Sequence, residues 1–294
     1  MSSMVKAAFV SAAMPPLRAG RIALRTNRRP ARLDVRQPRP RTIMHLPLAV
    51  NVEDVKLTGA IMGTVVLWLG LWERLTSLKL VPSSTTRKVI HITCGPAFIA
   101  LWPFYSASLS ARLMAAVVPM TFALVLLISG LSAEASPRSA LGKALSRSGS
   151  PSEALQGPML YSVSLLGMTL LLFQTPAAVV GVANMCVGDG LAEVVGRTVG
   201  GIKWPSSNKS LAGSTAFVGG AVLASLLLLE WFQSFGLTSL PQTNSCVLRV
   251  AAVAVVSAAV ELIAGDLGAD DNVSVALAAG LLGSLLLGEA AVAL

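Results

Sequence analysis

The sequence predicts an all-α, polytopic membrane bundle of about seven or eight segments. Two observations carry the prediction. First, 54% of the 294 residues are hydrophobic, only 13% are charged and the mean hydropathy is +0.71, whereas a soluble domain carries about 25% charged residues. Second, the apolar residues fall into stretches approaching the roughly 20 residues that span a bilayer core. Small residues such as Gly213, Gly219, Gly220 and Ala221 recur along these stretches and let helices approach closely.

The first element is a leader, residues 1–50. Residues 1–42 hold ten Lys and Arg against the single acid Asp34, with arginines from Arg18 to Arg41 set among Ala, Ser and Pro. Such an Arg-rich, acid-poor stretch without one long apolar core fits an organellar transit peptide, plastid ahead of mitochondrion. The remaining chain balances at thirteen basic and thirteen acidic residues, so the net charge of +9 is a property of the leader and argues for no nucleic-acid partner.

Eight apolar stretches follow, near Leu57–Trp72, Val89–Tyr105, Leu113–Leu131, Gly157–Phe173, Ala177–Val187, Leu211–Phe232, Val250–Ala264 and Val273–Leu294. The fifth and seventh are short for a full span. If all eight cross, one face receives Arg74, Lys79, Arg87, Lys88, Arg138, Lys143, Arg147, Arg197, Lys203 and Lys209, and the other only Lys56, Arg112 and Arg249. The positive-inside rule makes the first face stromal or cytosolic. Every polar cluster with chemical potential falls on that same face, as expected of one shared site. Cys94, Cys186 and Cys246 have no metal-ligand spacing and read as small hydrophobes without a disulfide framework.

The central cluster is Val187-Gly-Asp-Gly-Leu-Ala-Glu-Val-Val-Gly-Arg197. On a helix, Asp189, Glu193 and Arg197 share one stripe. Two carboxylates one turn apart suit Mg²⁺, which takes a few oxygen ligands plus substrate phosphates; the plainer reading is a Glu193–Arg197 pair at a membrane edge. Gly188 and Gly190 leave room for a ligand to approach the backbone. The loop Gly200–Ser210 carries Lys203 and Lys209 before an apolar helix that Ser210 can N-cap, a plausible phosphate cradle beside a helix N-terminus.

Near the C-terminus, Glu261-Leu-Ile-Ala-Gly-Asp-Leu-Gly-Ala-Asp-Asp-Asn272 sets acids where an apolar segment ends. Glu261 lies inside the seventh segment, where an unneeded carboxylate is expensive, so a metal or nucleotide role is favoured over a solvated loop. Arg87, Lys88 and His91 open the second segment on one face; the first two also suit snorkelling anchors. Glu153 is a weaker candidate. Acids for a metal, bases for phosphates and an apolar bundle form the parts list of phosphoryl transfer.

Arg87-Lys-Val-Ile-His91, Glu153 with Gly157-Pro-Met-Leu-Tyr161, Gly188 to Arg197, Lys209-Ser-Leu-Ala-Gly-Ser214 and Asp270-Asp-Asn272, in this order, resemble the polyprenol kinase family, which includes plastid phytol kinases, farnesol kinases and dolichol kinase. The resemblance spans about residues 55–290. It implies transfer of a phosphoryl group from a nucleoside triphosphate, typically CTP, to the hydroxyl of an isoprenoid alcohol such as phytol, feeding tocopherol synthesis. It further implies Asp189 and Glu193 on Mg²⁺, with Asp189, Glu193 and Lys209 in the catalytic centre. Arg197, Lys203, Ser210, Arg87, Lys88, His91 and Asn272 would hold the phosphates or the nucleotide, and Asp270 and Asp271 would complete the metal site. One departure stands out: where the family pattern has a proline four residues after the Asn, this chain has Ala276. A farnesol or geranylgeraniol kinase is a near alternative. A cytidylyltransferase lacks its signature here, and a transporter would spread polar groups to both faces.

Overall fold

The structure, a computed structural model, describes residues 50–131, 155–205, 207–238, 243–265 and 267–288. The Arg-rich leader and Glu153 lie outside the described residues. Among the described residues there are eight helices besides a short 3-10 turn, Trp102–Phe104, and no strand, only an isolated antiparallel bridge between Lys203 and Ser210. They are α1 (Val52–Ser77), α2 (Ser83–Ala100), α3 (Leu109–Leu131), α4 (Gly157–Leu172), α5 (Pro176–Thr198), α6 (Leu211–Ser234), α7 (Thr243–Ala264) and α8 (Asp271–Leu287). Of these, α1, α3, α5, α6 and α7 are long and apolar enough to cross a membrane, while α4 and α8 are shorter apolar helices.

Both segments that look short in sequence are longer in the structure. The seventh reaches 22 residues because its polar start, Thr243 to Arg249, is helical as well. The fifth runs on through the charged stretch to Thr198. Its first half, Pro176–Ala183, is built of Ala, Val and Gly, is capped by Thr175 and is entirely buried. A π-helical turn, Asn184–Gly188, joins it to the polar half, with the Asp189 N–H reaching Asn184 O five residues back. No breaker separates the halves, so hydropathy falls while the helix continues.

Helix α5 is the axis of the bundle: 67% of its apolar window is buried, against 17–39% for the other four long helices. Its first half packs on α8 and its polar half on α6; α3 packs on α4, and α7 fills between α6 and α8. Phe98, Trp102, Phe173, Val179, Val182, Phe217, Phe232 and Val253 form the core among these helices. The α5–α6 crossing is close because it is made by glycines. A Cβ on Gly213 would stand 2.8 Å from the carbonyl oxygen of Ala192 and 3.4 Å from the Cα of Gly196. Likewise Gly188 packs against Phe217 and Gly190 against Ile92, so these two glycines serve helix contact, and the approach they permit is by neighbouring side chains.

Candidate active site

The start of α2, the end of α5, the loop leading into α6, the end of α7 and the start of α8 meet at one end of the bundle. That is the end to which alternate crossing assigns the basic loops, and two charged clusters form there.

The first cluster is acidic. Asp189 from α5, Glu261 from α7 and Asp271 from α8 bring one carboxylate oxygen each within 4.8 Å of one another. Lys209 reaches into this group: its Nζ lies 2.6 Å from Glu261 Oε1 and 3.4 Å from Asp271 Oδ2, and it also bonds the Glu261 carbonyl. Local structure explains the reach. Gly200 and Gly201 both have positive φ, 63° and 87°, which turns the chain sharply after α5. The Trp204 N–H then bonds Lys209 O and the Leu211 N–H bonds Ile202 O, folding the loop on itself. Ser210 caps α6 by accepting from the Gly213 N–H at 3.1 Å, which fixes Lys209 one residue ahead of the helix. Burial acts against the Lys209 charge, but the hydrogen bond and negative charge of Glu261, then the charge of Asp271, outweigh it and raise its pKa above the ordinary lysine value.

The second cluster is basic and is organised by Glu193. Arg197 lies 2.8 Å from Glu193 Oε1, Arg87 lies 3.4 Å from the same oxygen, and Lys88 pairs with Oε2. Three cations around one carboxylate leave a net positive surface suited to an anion.

His91 connects the two clusters. Its Nε2 is 3.3 Å from Asp189 Oδ2 and 3.1 Å from Met185 O, a carbonyl of the π-helical turn. Both neighbours are acceptors, so Nε2 carries the ring proton and donates. Tyr161 packs its ring 4.9 Å from the imidazole and gives its hydroxyl proton to His91 O, pinning α4 to α2.

The remaining sequence candidates separate. Asp270 caps α8, accepting from the Asn272 N–H at 2.9 Å and from Asn272 Nδ2 at 3.0 Å. Its carboxylate is therefore engaged in the helix start, while Asp271 turns to Lys209. Lys203 is exposed and pairs through its backbone with Ser210. Glu193 and Asp189, grouped by spacing as a metal pair, face different partners: four residues raise the second carboxylate about 6 Å along the helix, into the basic cluster. The carboxylate that instead joins Asp189 and Asp271 is Glu261. Its signal in the sequence was its position inside an apolar segment, where an acid is anomalous.

A cavity of about 450 Å³ opens beside both clusters. Arg87, Lys88, His91, Asp189, Glu193, Asp270, Asp271 and Asn272 line its polar end. The rest is walled by Val65 and Leu69 of α1, Cys94 and Phe98 of α2, Val118, Phe122 and Leu126 of α3, and Leu165 of α4. A compartment charged at one end and apolar at the other takes an amphipathic molecule, with its polar head at the clusters and its tail among the helices.

Comparison with known proteins agrees with that shape. The chain is 35% identical over 242 residues to phytol kinase 1, chloroplastic, of Arabidopsis thaliana, covering 81% of this chain and 79% of the relative. It is 34% identical over 235 residues to probable phytol kinase 2, chloroplastic, of Oryza sativa subsp. japonica (79% and 76%), and 32% identical over 220 residues to farnesol kinase, chloroplastic, of Arabidopsis thaliana (74% and 70%). No family model matches the chain, and no solved structure matches it.

Proposed function

The chain belongs to the polyprenol kinase family, among plastid phytol and farnesol kinases, and on that premise we propose that it phosphorylates phytol in a chloroplast membrane, with CTP as donor. The observation that carries this reading is the cavity whose charged end meets both clusters and whose apolar end runs between the helices. A water-soluble acceptor would leave that apolar length unfilled.

The donor set of the acidic cluster suits Mg²⁺. All three groups, Asp189, Glu261 and Asp271, offer oxygen, the ligand a small hard cation takes. Asp271 Oδ1 and Asn272 Oδ1 are buried without a hydrogen-bond partner, and buried acceptors left so are costly unless a ligand satisfies them. When bound, the ion would neutralise donor phosphate charge, the main requirement of phosphoryl transfer.

The chain's own side chains divide the rest of the work. Arg87, Lys88 and Arg197 hold the phosphates, with Glu193 fixing their positions. Lys209, kept charged by its acidic neighbours, adds its charge from within the acidic cluster. His91 holds Asp189 in place by donating from Nε2, and its position at the border of the polar and apolar ends puts it next to the alcohol head. The walls of α1 to α4 shed water from the tail and set the hydroxyl at the phosphates, so that the new oxygen–phosphorus bond forms as the bond to the nucleoside diphosphate breaks and the hydroxyl proton passes to a carboxylate of the acidic cluster. Proximity of this kind is worth several kcal/mol of barrier, roughly 7 or more in favourable cases. The leader, by composition, would direct the chain to the plastid, with the charged end on the stromal side.

One assay tests the reading. Membranes expressing the full chain are given labelled CTP or ATP, Mg²⁺, and phytol, farnesol, geranylgeraniol or phosphatidate in turn. Labelled phytyl phosphate is expected, with CTP preferred; no phosphorylated alcohol from any donor, beside an active control enzyme, would overturn it.

A further inference from the structure

The apolar end of the cavity has a defined floor. Along α2, Lys88, His91, Cys94 and Phe98 all line the cavity, so it follows this helix for ten residues, about 15 Å. At Phe98 it stops. The Phe98 ring is 4% exposed and meets Trp102 edge to face, with centroids 5.7 Å apart and planes at 86°. Trp102 is fully buried and in turn meets Phe173 at 5.0 Å. Val118 and Leu165, 4% and 7% exposed, close the floor from α3 and α4. Three aromatic rings in edge-to-face and tilted contact thus back the cavity at Phe98, within a buried core where added methylenes cost from about 1 to 3 kcal/mol.

Resting on the kinase reading above, we propose that Phe98, held rigid by Trp102, is the length gauge for the isoprenoid tail. The head group is fixed at the charged end, so the ω-end of the tail is driven along α2 towards Phe98. A tail that fits, folded as needed within the cavity, ends above the ring, and a longer one must displace a ring that rests edge to face on fully buried Trp102. The site thereby selects by tail length without touching the reacting atoms.

The register of α1 on α2 supplies an independent probe. Trp68 Nε1 donates to Thr93 Oγ1 at 3.1 Å, and since the two helices run antiparallel, Val65 lies about a turn deeper, just above Phe98. It lines the cavity and is only partly buried, so a larger side chain there can be accommodated while raising the floor.

The test is competition among farnesol, geranylgeraniol, phytol and the C25 alcohol geranylfarnesol in membranes carrying the full chain. Phe98→Ala is expected to raise the kcat/KM ratio of geranylfarnesol to phytol about tenfold or more, the discrimination a few methylenes of pocket space provide. Val65→Phe is expected to shift the ranking the other way, lowering the phytol to farnesol ratio by a similar factor. Should Phe98→Ala fail to insert, Phe98→Leu carries the same expectation. An active wild type whose ranking is unchanged in both the Phe98 and Val65 variants overturns the gauge alone; a wild type that phosphorylates none of the alcohols overturns it together with the kinase reading.

Discussion

Lys209 Nζ lies 2.6 Å from Glu261 Oε1, so a lysine from the loop before α6 and a carboxylate from the last turn of α7 close an ion pair in the midst of three acids. The pair makes one cation serve as counter-charge for a group that is otherwise strongly repulsive.

Removing that cation should be felt first in stability. Glu261 is 6% exposed, and stripping a buried charge of its partner costs about 3 kcal/mol or more. Lys209→Ala is expected to lower the unfolding temperature of the detergent-solubilised chain and to abolish phosphoryl transfer, while Mg²⁺ restores part of the stability through the same carboxylates. A thermal shift identical with and without Mg²⁺ would speak against a metal there.

The two glutamates should separate in a metal titration. Glu261→Gln removes one of the three clustered carboxylates and is expected to raise the Mg²⁺ concentration needed for half-maximal activity by about 10-fold or more. Glu193→Gln, whose neighbours are Arg87, Lys88 and Arg197, is expected to leave that concentration unchanged and to alter the KM for the nucleotide. The reverse pattern would return the metal to Asp189 and Glu193.

The basic cluster predicts a donor effect. Arg87→Ala takes away one of three cations around Glu193, and charge-assisted bonds to phosphate are worth about 1.5 to 3 kcal/mol. A 10- to 100-fold fall in kcat/KM for the nucleotide is expected, with the ranking of alcohols unaltered; steady-state kinetics with each substrate varied in turn checks both.

Alkaline pH offers a further reading of Lys209. A lysine whose pKa is raised by folding stabilises the native state below the unfolded value, about 10.4, and loses that contribution as pH rises through its higher folded value. Its share of stability should therefore be constant through neutral pH and disappear only above about pH 10. Thermal unfolding followed against pH should show a larger alkaline loss of stability in the wild type than in Lys209→Met.

The α5–α6 crossing predicts a steric outcome. A Cβ at position 213 meets the backbone carbonyl of Ala192, which cannot step aside as a side-chain tip would. Gly213→Ala is expected to destabilise by about 1 to 3 kcal/mol and to reduce activity by displacing the loop that carries Lys209. Wild-type melting and activity would show that the crossing has slack.

Much of this site is legible in the chain because polar residues stand out against an apolar background. Asp189, Lys209 and Asp271 are visible as such, and alternating the charged loops between two faces assigns them to one end before any contact is known. What spacing does not show is partnership. Asp189 and Glu193 share a stripe, yet one turn of rise delivers them to different clusters, and Glu261 joins Asp189 only through the packing of α7 and α8 around α5. Asp270 and Asp271 are adjacent and alike, and the capping geometry of α8 decides which one meets Lys209. The tail walls from α3, such as Val118, Phe122 and Leu126, carry no mark at all, since an apolar residue facing a cavity and one facing lipid are the same letter.

The π-helical turn at Asn184–Gly188 has a consequence for how the active half of α5 is aimed. One additional residue in a turn rotates everything after it by about 100° relative to a plain α-helix. Asp189 and Glu193 look into the bundle because of that phase change; shortening the turn by a residue would swing both carboxylates round the helix axis and leave the buried half of α5 where it is. The chain thus carries two helical phases in one rod, and any insertion or deletion between Asn184 and Gly188 would turn the carboxylates out of the site and, with them, the glycine contacts of the second half out of the α6 crossing.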